Sequence, residues 1–327
     1  MKEFGSLRQV FIPYLEKKIR QIYAFGEEIT VRYLTFSENF TYVLYRGQKP
    51  IGIISLHKPG YHTPGELYDE LVWMHEVRQE TAVHVPQIFN GRNGGFLYAV
   101  TLPDDGGRYY FPVTEYLPGK TLESAEDGCA EAWAERVGEI TAMLHVQSCR
   151  RATARPQLNC FQWDLPRTLG AQARWGNFNL YPVKQDEQDM LNKAARKIIE
   201  QLQIYGKSDA NYFLIHADLH TGNLMTEGSE VSLIDFDDCG YSWFLYDLGA
   251  FMSRQSVHLQ AVIDSWCSGY ERIRPLSAAD IQMIPAFVLM WRLVRLGWLA
   301  TRKDNDVVSQ DERRYLEKTL ELAGIFV

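Results

Sequence analysis

The chain has 327 residues, of which 46% are hydrophobic, 13% aromatic and 23% charged, with a formal net charge of −7 and a sequence pI near 5.7. This composition excludes disordered, collagenous and fibrous classes, and the acidic balance argues against a nucleic-acid binder that relies on a broad basic field. At roughly 100–200 residues per domain, the length predicts two domains or one domain of two lobes.

The charge is uneven: −1 over residues 1–118 and −6 over the remainder. An acidic C-terminal part suits a cationic substrate or a metal–nucleotide site. Five cysteines (Cys129, Cys149, Cys160, Cys239, Cys267) are widely spaced, odd in number and without a Cys-x-x-Cys pair. They read as reduced thiols of a cytoplasmic protein. The N-terminal MKEFGSLRQVF carries no signal-peptide apolar segment, which agrees with that setting. The longest apolar stretch, 283–300, is interrupted by Arg292 and Arg295 and predicts a buried amphipathic helix rather than a membrane span.

In chain order, the first ~115 residues read as strands plus one helix. Strands are expected over 29–34, 41–46 and 50–57, with Arg46-Gly47-Gln48-Lys49 as a hairpin turn. Thr63, Pro64 and Glu66 form an N-cap, a first helical residue and a capping-box partner, so a helix is predicted over 64–80. Leu67, Leu71 and Met74 make its apolar stripe. Two further strands, 96–100 and 109–116, flank the turn-rich 103–107. After Tyr116-Leu117-Pro118-Gly119 the pattern becomes helical, over 131–147, 186–203, 256–273, 278–302 and 312–324, around a short β segment at 213–236. No internal repeat or low-complexity tract is present.

The chemistry is concentrated in His216-Ala-Asp218-Leu-His220-Thr-Gly-Asn223, followed by Ile234-Asp235-Phe-Asp237-Asp238. Segments 224–226 and 231–234 are short apolar strands joined by the turn 227–230. Antiparallel pairing across that turn sets Asn223 nearly opposite Ile234, so Asn223 and Asp235 lie side by side at the open end of the hairpin. An amide oxygen and a carboxylate there suit Mg²⁺, which takes hard oxygen ligands and leaves places for phosphate and water. Asp218, on the loop entering the hairpin, is placed to orient a hydroxyl and accept its proton. A lone Asp-x-x-x-x-Asn is commonly a capped turn; the whole bundle is more restrictive.

The segment resembles the catalytic loop and metal-binding strand of the aminoglycoside phosphotransferase-like kinases, a group of protein-kinase-like fold that includes antibiotic, choline and homoserine kinases. The family pattern His-x-Asp-x-x-x-x-Asn matches His216, Asp218 and Asn223, and its metal aspartate matches Asp235. The resemblance implies an α+β, protein-kinase-like bilobal fold with a small antiparallel-sheet N-lobe and a larger, mostly helical C-lobe. Residues 1–113 would be the nucleotide-binding lobe, 114–119 the hinge, and 120–327 the catalytic and substrate lobe. It implies Asp218 as catalytic base, Asn223 and Asp235 as Mg²⁺ ligands, and ATP or GTP as phosphoryl donor. Phe111-Pro-Val-Thr-Glu115-Tyr-Leu117 resembles the family hinge, so backbone groups of Glu115 and Leu117 are expected at the adenine edge. Ser37-Glu38-Asn39 resembles the phosphate-covering loop without its glycines; a plain β-turn fits the same residues. Tyr246-Asp247-Leu-Gly249 resembles the family's structural aspartate, which braces the catalytic loop. His145 is expected to be a satisfied packing histidine, without an acid/base partner beside it.

One departure stands out. Glu70 lies on the inward stripe of the 64–80 helix, and a buried carboxylate needs a partner. The family supplies a Lys or Arg on the third strand, which also holds nucleotide phosphates; here that position is Ser55. Lys58 swinging back before Pro59, His57 as a weaker partner, or a catalytically impaired nucleotide- or partner-binding module are the three outcomes. A protein Ser/Thr kinase of the same fold is a further alternative.

The acceptor is expected to be a small-molecule hydroxyl of aminoglycoside, choline or homoserine type, with no nucleic-acid or membrane partner. In Met290-Trp291-Arg292-Leu-Val-Arg295-Leu-Gly-Trp298 the tryptophans are expected in the core and the arginines paired to acids; lining an anionic-acceptor pocket is the other reading.

Overall fold

The computed structural model describes residues 4–102, 106–124, 130–255, 258–302 and 312–327. The chain divides into two compact units. Among the described residues, one comprises 4–78 and 85–118, the other 79–84, 119–302 and 312–327.

The first unit opens with helix α1 (Phe4–Ile22), which the strand-dominated reading of this region missed. Pro13 sits inside it and obscures the signal, but the proline is exposed, while Phe11, Leu15 and Ile19, spaced four apart, are fully buried. They pack on a sheet of β1 (Ile29–Phe36), β2 (Asn39–Arg46), β3 (Lys49–His57), β4 (Tyr98–Thr101), β5 (Arg108–Phe111) and β6 (Val113–Glu115). The strand order is β1-β2-β3-β5-β4, with β6 also on β3. Strand β1 is an edge, and α1 covers it: Glu16 accepts a bond from the Val31 N–H at 3.0 Å and Arg20 donates to the Ile29 carbonyl at 2.9 Å.

The predicted 109–116 strand is two strands, because Pro112 has no N–H to give the ladder. The Arg46–Lys49 hairpin turn is present, with Gly47 at φ 58°. Helix α2 (Pro64–Glu80) has the predicted bounds, and its capping box is closed in both directions: Thr63 N–H to Glu66 at 2.7 Å, and Glu66 N–H to the Thr63 hydroxyl at 3.2 Å. Of the 103–107 turn, residues 103–105 lie outside the described residues.

The second unit carries β7 (Lys120–Thr121), α3 (Ala130–Ala154), β8 (Phe161–Gln162), α4 (Leu165–Thr168), α5 (Gln185–Tyr205), β9 (Tyr212–Ile215), β10 (Leu224–Glu227), β11 (Glu230–Leu233), β12 (Gly240–Trp243), α6 (Leu245–Met252), α7 (Leu259–Glu271), α8 (Ala278–Thr301) and α9 (Glu312–Phe326). Two small sheets, β11-β10-β7 and β8-β12-β9, flank the catalytic segment. Among the described residues, α8 is the one helix long and apolar enough to cross a membrane. It is mostly buried, as its interior arginines predicted.

Helices α3 and α7 approach so closely that a Cβ on Gly138 would lie 2.0 Å from the Trp266 carbonyl oxygen, and one on Gly269 1.8 Å from that of Glu135. This spacing lets His145 of α3 reach Tyr270 of α7, a bond that serves the site described below. We predict that Gly269→Ala destabilises the protein by about 1–3 kcal/mol through overpacking of this crossing. Urea unfolding followed by circular dichroism measures it; an unchanged midpoint would refute the close-packing argument.

Candidate active site

The loop from β9 into β10 is fixed by one buried carboxylate. Asp247, on α6, is fully buried. Its Oδ1 accepts the Ala217 N–H at 2.7 Å, and its Oδ2 accepts the His216 N–H at 3.2 Å. The same Oδ2 lies 3.2 Å from His145 Nε2, whose other ring nitrogen lies 2.8 Å from the Tyr270 hydroxyl. The carboxylate can only accept, so His145 carries its proton on Nε2 and takes the Tyr270 O–H at Nδ1. His145 is thus a satisfied packing histidine, as expected. The accompanying expectation that no acid adjoins it is wrong: Asp247 lies 102 residues away in sequence and arrives through the fold.

Ala217 sits at φ 64°, a left-handed conformation that costs a residue with a Cβ about 1–2 kcal/mol. The Asp247 bond and a bond from the Trp291 indole N–H to the Ala217 carbonyl, 3.2 Å, hold it there. The kink turns the chain so that Asp218 leaves the sheet beside Asn223. The Asn223 amide donates to both the Asp218 backbone oxygen, 2.9 Å, and its carboxylate Oδ2, 3.0 Å. With the nitrogen so engaged, the side-chain oxygen is the atom of the Asn223 amide that could take a cation.

The predicted hairpin register holds: Leu224 pairs with Leu233, and the Ile234 N–H donates to the Asn223 carbonyl at 3.0 Å. Asp235 follows at φ 64°, a second strained non-glycine residue, with its side chain exposed. Among the described residues no group of three His, Cys, Asp or Glu side chains could hold a metal ion. Asn223 and Asp235 nevertheless fit Mg²⁺, which is commonly held by one or two protein oxygens with phosphate and water completing the shell.

Burial, and then the neighbouring Asp238 and Asp235 carboxylates, push the Asp218 carboxyl well above the usual range, against the Asn223 amide bond and the Arg295 charge. His220 accepts the Gly222 N–H at Nδ1, 2.9 Å, so its proton is on Nε2, 3.6 Å from Asp218 Oδ2. Burial, then Arg295 and His216, push His220 down to about 3, so it is neutral. Burial likewise lowers His145 and His216. Neither His220 nor Glu123, whose carboxylate would lie 2.9 Å from a Cβ on Gly222, was assigned a role from sequence. His220 stands inside the quoted motif; Glu123 has no local signal.

The structure thus brings Asp218, Asn223 and Asp235 to one end of the hairpin. The other predicted residues belong to the first unit. Ser37 and Asn39 lie at the β1–β2 turn, where the Ser37 N–H donates to the Asn39 carbonyl at 3.2 Å. Lys58, just past β3, lies 4.0 Å from Glu38 of that turn and over the Phe36 ring. Glu70 is buried on α2. The Glu115 N–H is committed to the Gln87 carbonyl at 2.8 Å, and its carboxylate lies 3.6 Å from Arg78. Leu117 is nearly buried two residues further on. Trp291 and Trp298 are core residues, as expected. The arginines differ from expectation: Arg292 is satisfied by the Ser253 and Tyr315 carbonyls and the Thr319 hydroxyl rather than by acids, and Arg295 has no acidic partner among the described residues.

A kinked loop presenting a carboxylate, followed by a hairpin whose open end offers amide and carboxylate oxygens, defines a phosphotransferase of protein-kinase-like α+β fold. Residues 36–276 match the Phosphotransferase enzyme family, and the chain belongs to that family. It is a kinase whose phosphoryl acceptor is a hydroxyl group of a small molecule. It is similar to the amicoumacin kinase of Bacillus subtilis (strain 168), with 23% identity over 90% of this chain and 86% of that protein. A homoserine kinase of Agrobacterium fabrum is 30% identical over 63% of each chain. The solved structure of a microcompartment-associated aminopropanol kinase matches with a TM-score of 0.79 and 30% identity over 95% of this chain and 94% of that one.

The three buried neutral histidines generate a pH prediction. A histidine with a folded pKa below its unfolded value of about 6.5 binds fewer protons folded than unfolded at acid pH, so stability is complete above pH ~6.5 and falls as pH drops. For His220, neutral down to about pH 3, the loss between pH 6.5 and 5 is about 2 kcal/mol. The melting temperature should therefore fall steadily from pH 7 to pH 5, and His220→Asn should flatten the slope. An identical slope in the variant would contradict the assignment.

Proposed function

We propose that this protein moves the γ-phosphoryl group of Mg²⁺-bound ATP to a hydroxyl of a small, non-macromolecular acceptor, with Asp218 as base and Asn223 and Asp235 as metal ligands. The observation that carries this reading is the two-bond contact from the Asn223 amide to Asp218, which locks the base beside a metal-facing oxygen. A raised carboxyl pKa makes Asp218 a stronger proton acceptor than a free aspartate. The acceptor O–H proton passes to an Asp218 oxygen as the acceptor oxygen bonds to the γ-phosphorus. The bond from that phosphorus to the bridging oxygen breaks, and ADP leaves with the electron pair. Bound Mg²⁺ would neutralise charge on the transferring phosphoryl group.

In the first unit we assign phosphate contacts to Lys58 and to the turn residues Ser37 and Asn39. Lys58 stands in for the cation missing at Ser55, and Glu70 supports the same set. With the Glu115 N–H already committed, adenine recognition falls to the Glu115 carbonyl and the Leu117 backbone. We place the reaction in the cytoplasm, where ATP is available and where Cys149, Cys160, Cys239 and Cys267, all free, stay reduced.

Two measurements test this. In an ADP-release assay over a panel of hydroxyl acceptors, Asp218→Asn should lower kcat by about 10²-fold or more with little change in the KM for ATP; retained turnover would remove Asp218 as base. In a thermal-shift assay, ATP with Mg²⁺ should stabilise the wild type more than ATP alone, and Asp235→Ala should abolish the difference. An undiminished metal dependence would remove Asp235 as ligand.

A further inference from the structure

Beside Asp218, the second unit gathers guanidinium groups that the phosphoryl-transfer reading does not use. Trp291 of α8 donates to the Ala217 carbonyl, which fixes that helix face against the catalytic loop. Arg295 lies one turn further along the same face. Its guanidinium carbon lies 5.0 Å above the Tyr315 ring of α9, and the same ring carries Arg292 at 4.2 Å. Arg254, two residues past α6, is ion-paired to Glu123, whose carboxylate borders Gly222 of the catalytic loop.

The three arginines are not equivalent. Arg292 is fully satisfied by backbone and hydroxyl oxygens and is structural. Arg295 makes no hydrogen bond or ion pair among the described residues, and its Nε is buried without a partner. The Nε of Arg254 is also buried without a partner, so only one edge of that guanidinium is engaged. Their charges act on each other, and that of Arg295 also reaches Asp218 and His220. Two partly buried like charges with unused donor edges are unfavourable until an anion joins them, and a planar guanidinium edge matches a carboxylate or a phosphate.

We propose that Arg295, assisted by Arg254, is the specificity-determining site for an anionic group on the acceptor, so that the preferred substrate is a small molecule carrying both a hydroxyl and a carboxylate or phosphate. This rests on the reading above that the acceptor hydroxyl meets Asp218. Tyr315 supports the Arg295 plane, and Glu123 holds Arg254 in place while leaving its Nε without a partner. The reacting hydroxyl and the anion are then recognised by opposite charges. The base attracts the proton end, and the guanidinium pair fixes the other end and draws an anionic molecule to a site otherwise dominated by acids.

The test uses equilibrium binding to the full-length protein, so it does not depend on turnover. Calorimetric titration with L-homoserine, D-glycerate and glycerol 3-phosphate is compared with the uncharged-end partners L-homoserinol and glycerol, in the presence of Mg²⁺ and a non-hydrolysable ATP analogue. The expected result is that at least one anionic probe binds at least tenfold more tightly than its partner. Arg295→Gln should erase that advantage, Arg295→Lys should keep part of it, and Arg254→Gln should reduce it independently. The uncharged partners should change by less than twofold.

The proposal is overturned if the wild type binds none of the three anionic probes, or if Arg295→Gln binds them as well as the wild type does. It is also overturned if the variant weakens the ATP analogue by the same factor, which would assign the guanidinium to the nucleotide. Failure of the functional reading looks different: Asp218→Asn would keep its turnover while the Arg295-dependent preference for anions persisted.

Discussion

The site depends on the buried Asp247 carboxylate. Its two oxygens take the backbone N–H groups of His216 and Ala217 and the Nε2 proton of His145. Three donors around one desolvated anion satisfy it without a formal cation, and hydrogen bonds to a charged acceptor are individually strong. That strength is needed locally, because Ala217 is held at a positive φ that a residue with a Cβ resists. Released from Asp247, those two N–H groups would lose the bonds they make to it, and the loop would be free to relax toward ordinary extended geometry, carrying Asp218 away from Asn223. The packing of α3 on α7 serves the same end, since Tyr270 completes the chain of bonds from α7 through His145 to the loop.

The electrostatics of the second unit are arranged around a conflict. Burial and the neighbouring Asp238 and Asp235 carboxylates raise the proton affinity of Asp218, while His220 beside it is kept neutral by burial and by Arg295. Neutral His220 directs an N–H toward Asp218 without adding a charge that would lower the proton affinity of the carboxylate.

The local parts of this structure were legible in the sequence because their causes are local. The capping box of Thr63 and Glu66, the Gly47 turn and the pairing of Asn223 with Ile234 each depend on residues a few positions apart. The helix α1 was missed because Pro13 masks the four-residue spacing of Phe11, Leu15 and Ile19; the proline is tolerated on the outer face. Pro112 split a strand whose alternation otherwise looked continuous. The acid beside His145 and, among the described residues, the missing ion pair of Arg295 are tertiary facts, set by contacts spanning α3, α6, α8 and α9, and no spacing rule reaches them. The roles of Ser37, Asn39, Lys58, Glu70, Glu115 and Leu117 rest on resemblance, and they stand as proposals.

This division between local and distant contacts separates chemistry from selectivity. The proposed base and metal ligands are carried by one hairpin and its entry loop, where strained backbone at Ala217 and Asp235 leaves little room for change. The proposed anion site is assembled instead from the ends or faces of separate elements: Arg295 on α8 over Tyr315 of α9, and Arg254 after α6 held by Glu123 after β7. A substitution there alters one side chain on a helix surface and leaves the hydrogen-bonded loop intact. In this chain the proposed anion site sets a guanidinium there, whereas a polycationic acceptor would call for acids in its place.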